Sequence, residues 1–183
     1  MKQIINILRL KMKDENELKG LGGWLILVGL GVILAPIRLL ITYVPLYQPV
    51  FEDGTWEAIT SVDSVSYNPM LSSLLMGEMA YNVIMVLASI YLIYLFFTKN
   101  YLFPKLYIAI FAVSLVFILF DAWLVTMALP DVPMFDSETK KEFFRVLVGG
   151  MIWVPYMLLS KRVKLTFVEN KPDKILASSV DVD

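Results

Sequence analysis

The dominant pattern along the chain is a series of four long apolar runs separated by more polar connections. The runs extend over about 24–47, 70–97, 103–129 and 143–160. Because a helix needs about 20 apolar residues to cross the hydrocarbon of a bilayer, the pattern predicts four membrane-spanning helices. The first run is too long for the core of a signal peptide, so we expect it to be retained. The predicted fold is an all-α integral membrane four-helix bundle.

The segments on either side of the membrane domain, residues 21–167, are predicted to be short and cytoplasmic. In residues 1–20, apolar side chains recur at helical spacing beside basic residues, which is typical of an amphipathic helix in the plane of the membrane. A solvated tail with some apolar residues fits the same pattern. Residues 168–183 turn polar and are predicted to form a disordered tail.

The connections between the runs differ in their basic residues, and this difference predicts the orientation of the bundle. Twelve Lys and Arg residues lie before the first run, between the second and third, or after the fourth, whereas only Lys140 and Lys141 lie in the other two connections. Because cytoplasmic loops carry the excess of basic residues, both termini are predicted to be inside the cell.

The first external connection, about residues 48–69, is long and acidic. It contains a turn signal at residues 52–55, followed by Trp56, Ile59 and Val62 at helical spacing. Two interpretations remain open. The connection either folds over the outer mouth of the bundle or is a loosely packed loop.

Composition excludes several kinds of chemistry. Hydrophobic residues make up 58% of the chain and charged residues 18%, against about 25% charged residues in a soluble domain. The absence of Cys and His from the sequence excludes disulfides, thiol nucleophiles, imidazole bases and the usual zinc sites. A net charge of -1 provides no basic field for nucleic acid. The sequence therefore predicts no catalytic residue, no cofactor, no metal and no nucleic-acid partner.

Each predicted span contains one ionisable residue well inside its helical stretch: Arg38, Glu78, Asp121 and Arg145. Counted from the predicted outer ends of the spans, they lie nine, eight, eight and eight residues deep, or about 12 to 14 Å at the helical rise. An unpaired ion in hydrocarbon is costly, so we expect the four to pair with one another in the outer half of the membrane. Arg145 is the weakest member, because its long side chain can extend outward.

Polar neighbours on the same helix faces extend this candidate pocket. A proline inside the first and fourth spans removes a backbone hydrogen bond, which predicts kinks that make room for water. Two interpretations fit the charges: buried ion pairs that fix helix register, or a binding or proton-handling pocket open to the outside. The added pocket residues are Thr42, Tyr81 and Asn82, and the kinks are predicted at Pro36 and Pro155.

Both ends of the predicted bundle carry distinctive sequence. The opening is GLGGWL at residues 20–25, and the close is WVPY at 153–156 followed by SKRVKLTF at 160–167. With Phe-Pro at 103–104, these ends resemble the domain-of-unknown-function family numbered twenty-five sixty-nine, whose members are small bacterial membrane proteins with four predicted spans. The resemblance covers about residues 20–167. It implies a bacterial inner-membrane location and transfers no catalytic or ligand residue.

Three functions remain open at this point. The leading hypothesis is a non-enzymatic integral membrane protein, a small binding or accessory subunit with a charged pocket in the outer half of the membrane. The second is a small proton-coupled transporter or exporter that uses Glu78 or Asp121. The third is a membrane-embedded lipid-modifying enzyme with two carboxylates as acid and base. The expected partners are the lipid bilayer and either a membrane protein or a small ligand from the external side.

Overall fold

The protein folds into helices joined by short connections. The computed structural model describes residues 18–168 and the isolated positions 3, 6 and 13. The helices over residues 18–168 are α1 (Trp24–Glu52), α2 (Thr55–Thr60), α3 (Pro69–Phe97), α4 (Phe103–Ala128), α5 (Ser137–Leu159) and α6 (Lys161–Thr166). The predicted in-plane helix and the predicted tail lie outside the described residues.

Four of these helices, α1, α3, α4 and α5, are long and apolar enough to cross a membrane. No strand accompanies them in the part of the chain that the structure describes. Most of their large apolar side chains are exposed, as expected for surfaces that face lipid rather than water. The prediction of an all-helical protein with four membrane-length helices is therefore confirmed.

The ends of the long helices follow from their sequence. α1 continues through Pro45 and Pro49 to Glu52, five residues beyond the predicted end of its apolar run, and Gln48 Nε2 donates to Glu52 Oε1 at 2.8 Å in its last turns. Counted from the observed helix ends, Arg38 of α1 therefore lies deeper than the charged residues of the other three long helices. α5 begins at Ser137 and its N-cap is Asp136, because the Asp136 carboxylate accepts from Thr139 N–H at 2.7 Å.

The predicted kinks lie inside continuous helices. Pro36 is buried within α1, and Pro155 is exposed within α5. The helical assignment continues on both sides of each proline. The kinks themselves stay a prediction.

The four long helices pack in chain order rather than as a closed ring. α1 packs against α3, α3 against α4 and α4 against α5, whereas α1 and α5 pack much less closely with each other. The buried core lies at the end of the bundle where α1 begins, and it includes Leu25, Leu95 and Phe103. The opposite end is looser and has room for a cavity.

The two ends of the described chain meet at the core end of the bundle. Thr166 Oγ1 accepts from Gly20 N–H at 3.1 Å and donates to the Gly20 carbonyl at 3.2 Å. Phe167 is buried and stacks on Phe103, with 4.6 Å between ring centroids. The distinctive opening and closing sequences are therefore in contact.

The connection after α1 folds against the helix ends at the other end of the bundle. Ile59 of α2 is buried, and its carbonyl accepts from Asn68 N–H at 3.0 Å. Asn68 Nδ2 in turn donates to the Ala128 carbonyl at 3.2 Å. The connection thus contains a short helix in contact with its neighbours, and its closing of the outer mouth stays a prediction. Val62 is not part of this helix, because α2 ends at Thr60 and the Val62 side chain is exposed.

Candidate functional site

A cavity of about 440 Å³ lies between the four long helices, in the half of the bundle away from the core. Each helix contributes to its lining: α1 through Thr42 and Tyr43, α3 through Glu78 and its neighbours, α4 through Asp121, and α5 from its first turns. Of the four long helices, α1 and α5 both line the cavity and pack only loosely with each other.

Five of the seven predicted pocket residues line this cavity, and the two arginines do not. The predicted residues in the lining are Thr42, Glu78, Tyr81, Asn82 and Asp121. The arginines lie beside it, with half-exposed side chains. Whether this cavity is a functional site stays a prediction at this point.

Both arginines approach one carboxylate that the sequence analysis did not single out. Arg38 Nη2 lies 3.6 Å from Glu142 Oε1, and Arg145 Nη1 lies 3.8 Å from the same oxygen. Within residues 18–168, neither Glu78 nor Asp121 forms an ion pair, so the expected pairing with those two carboxylates is not observed. Glu142 lies just before the fourth apolar run, and its spacing of three residues from Arg145 was the signal available for it.

Hydrogen bonds hold the walls of the cavity in place. Asn82 is buried, and its Nδ2 donates to the Tyr47 hydroxyl at 2.7 Å, which ties α3 to α1. The Tyr81 hydroxyl donates to Ser114 Oγ at 3.2 Å, and the Tyr81 ring stacks on Phe117, which ties α3 to α4. The polar neighbours of Glu78 thus bond to adjacent helices.

The lining of the cavity is acidic. Among residues 18–168, four carboxylate side chains contribute to it, and no Lys or Arg does. Such a surface in a partly enclosed space favours a positively charged occupant. The described residues contain no group of three His, Cys, Asp or Glu side chains arranged to hold a metal ion. The four carboxylates are those of Glu78, Asp121, Glu138 and Glu142.

At the mouth of the cavity, the cap of α5 fixes one lining residue. Asp136 accepts hydrogen bonds from the backbone and the side chain of Thr139, and these bonds hold the pKa of the Asp136 carboxyl below its ordinary value. Thr139 itself lines the cavity. The cap thereby fixes the first turn of α5, which contains Glu138, and Glu142 follows in the next turn.

Comparison with known proteins gives one match. The family model described as "Protein of unknown function (DUF2569)" matches residues 18–168. The chain belongs to this family. The match confirms the resemblance predicted from the opening and closing sequences, and it extends over the whole continuous part of the described structure. No curated protein and no solved structure matches significantly. The protein is thus a membrane-type helical member of DUF2569, a family whose description assigns no activity, and a function must be argued from the cavity.

Proposed function

We propose that this protein is a non-enzymatic protein of the bacterial inner membrane that binds a small organic cation in the cavity between α1, α3, α4 and α5. The observation that carries the proposal is the lining of four carboxylates without a cationic side chain. The volume of about 440 Å³ is within the range of roughly 300 to 1,000 Å³ that is typical of small-molecule sites. A binding or accessory subunit with an outward-facing pocket is the role that fits this geometry.

The aromatic part of the lining supports an organic cation over an inorganic one. Tyr43, Tyr81 and Phe117 contribute rings to the cavity beside the carboxylates. Aromatic faces attract organic cations, and these cations lose little hydration energy when they bind. A bare metal ion instead requires several convergent oxygen ligands. A quaternary or primary ammonium group with a small apolar body therefore matches the lining in charge and in polarity.

The direct test measures the binding of benzyltrimethylammonium to the protein in lipid nanodiscs by isothermal titration calorimetry. Benzenesulfonate is the anionic control of similar size. Replacing Glu78 by Gln or Asp121 by Asn removes one charge-assisted contact, so each variant is expected to bind the cation about ten- to a hundredfold more weakly. Glu57→Gln and Asp131→Asn are matched controls, because both residues are exposed and lie outside the cavity lining.

Two results would contradict the proposal. One is equal binding of benzyltrimethylammonium and benzenesulfonate by the native protein. The other is unchanged cation affinity in both cavity variants while their elution profiles and melting temperatures show that they are folded. Because the cavity is open rather than dry, both variants are expected to remain monodisperse with modest loss of melting temperature.

A proton-coupled transporter is the second candidate. The observation in its favour is that Glu78 and Asp121 come from adjacent helices, line one cavity and form no ion pair within the described residues. Uptake of the cation into proteoliposomes driven by a pH gradient distinguishes the two candidates. Binding without uptake supports the binding protein. Uptake that is lost in Glu78→Gln supports the transporter. The lipid-modifying enzyme has no specific observation in its favour.

A further inference from the structure

The cavity is bounded on one side by α1 and α5, which are not tightly packed together. These two helices both contribute to the lining, but they pack far less closely with each other than the other neighbouring long helices do. Tyr81 and Asn82 join α3 to its neighbours by hydrogen bonds. The α1–α5 side is thus the seam through which an occupant most easily enters.

One ion pair crosses this seam. Arg38 belongs to α1 and Glu142 to α5, with 3.6 Å between Nη2 and Oε1. Arg145 approaches the same oxygen at 3.8 Å, but it lies on α5 itself and joins nothing across the seam. Of the two arginines, only Arg38 therefore connects the two helices. Glu142 is also part of the cavity lining, so the pair stands at the edge of the site.

We infer that the Arg38–Glu142 ion pair is a gate, which closes the seam between α1 and α5 until a cationic ligand takes the place of the Arg38 guanidinium beside Glu142. This inference rests on the proposed function, because it requires an occupant of positive charge. Arg38 then acts as a resident cation that competes for one of the four carboxylates. A half-exposed pair is suited to this role, since it is weak enough to be displaced.

The test uses the absence of cysteine from the sequence. Ser114→Cys introduces a single thiol in the cavity lining on α4, away from the seam. The rate of its modification by methyl methanethiosulfonate, a neutral reagent, is followed by mass spectrometry in lipid nanodiscs. Because the reagent is uncharged, its reaction rate reports access to the cavity and not electrostatic attraction to the carboxylates. The Arg38→Gln change is compared with Arg145→Gln, which removes the same charge from the same carboxylate without opening the seam.

If the pair is a gate, the thiol reacts about two- to fivefold faster with Arg38→Gln than with Arg145→Gln, the range that a half-exposed ion pair produces. Arg38→Lys is expected to retain part of the protection of the thiol against modification. Benzyltrimethylammonium binds Arg38→Gln about two- to fivefold more tightly than Arg145→Gln, because the guanidinium that remains beside Glu142, that of Arg145, does not join α5 to α1. Should Arg38→Gln fail to fold, Glu142→Gln breaks the same bridge and is expected to raise the modification rate similarly.

Equal modification rates in Arg38→Gln and Arg145→Gln would overturn the gate. The outcome for the proposed function is separate. If the native protein does not bind benzyltrimethylammonium, the proposed function fails, whatever the thiol rates. If the cation binds but the two arginine variants have equal rates and equal affinities, the gate fails and the cation site stands.

Discussion

Gly29 is the residue at which α1 approaches the aromatic core most closely. A Cβ atom at this position would lie 2.8 Å from two carbons of the Phe96 ring. Phe96 is buried and in contact with the rings of Phe103 and Phe167, so it has little room to move. Gly29→Ala is therefore expected to lower the melting temperature by about 2 to 8 °C, which corresponds to an overpacking cost of about 1 to 3 kcal/mol.

Gly31, on the same helix, is the matched control for this prediction. A Cβ atom at Gly31 meets nothing within 4 Å. Gly31→Ala is expected to leave the melting temperature unchanged or slightly raised, since alanine is the better helix former. Thermal unfolding in the same detergent compares the two variants. Equal melting temperatures would show that the ring of Phe96 yields without cost.

The charged residues show what the sequence supplies at this scale. Glu78 and Asp121 can be placed in a common pocket from the sequence, because an isolated carboxylate in an apolar run must avoid lipid. Glu142 is not found in this way, because it lies in a polar segment where a charge needs no explanation. Its spacing of three residues from Arg145 is a pattern within one helix, whereas the approach of Arg38 from α1 has no counterpart in any single-helix pattern.

The N-cap of α5 links one helix end to the cavity. Asp136 accepts from Thr139 N–H at 2.7 Å, and Asp136→Ala is expected to cost about 0.5 to 2 kcal/mol at neutral pH. The pKa of the Asp136 carboxyl is held below its ordinary value of 3.8, because the charged form accepts these hydrogen bonds. The contribution of the cap is therefore complete above about pH 4 and is lost as the pH falls through the folded pKa.

Thermal unfolding at pH 7 and at pH 3 checks this prediction. The difference between the native protein and Asp136→Ala is expected to be smaller at pH 3 than at pH 7. Asp131→Ala is the control, because Asp131 is exposed in the same connection and caps no described helix. A difference that grows on acidification would mean that the aspartate is not acting as a charged cap.

The helices as elements were largely predictable, and the ends of α3 and α4 lie within one residue of the predicted runs, whereas the end of α1 and the start of α5 differ by several residues. The length of the apolar runs alone identifies α1, α3, α4 and α5, because apolar runs of this length are typical of membrane-spanning helices. The end of α1 was missed because the apolar run stops at Tyr47, before the polar Gln48, whereas the helix continues to Glu52. The short helix α2 was one of two open interpretations, and the choice depends on the contacts of Ile59 and Asn68, which are distant in sequence.

At the scale of the molecule, the bundle has two unlike ends. One end is closed by a buried aromatic core and by the hydrogen bonds between Gly20 and Thr166. The other contains an acidic cavity between the four long helices. The family match begins and ends beside the Gly20–Thr166 contact, so the two ends of the matched region are in contact in this chain. A tight end and a looser end suit a pocket that admits a ligand from one side only.

The contact between Gly20 and Thr166 places both ends of the membrane domain on the same face of the bundle, and the basic residues predict that this face is cytoplasmic. Six described basic residues lie at this end, against two in the connections at the other end. Alkaline phosphatase fused after Asp53 is therefore expected to be active, because it folds only outside the cytoplasm, and a fusion after Asn100 is expected to be inactive. Green fluorescent protein at the same sites is expected to give the opposite pattern, which excludes poor expression as the cause. Phosphatase activity at Asn100 but not at Asp53 would reverse the orientation, and the acidic cavity would then open to the cytoplasm and take its cation from that side.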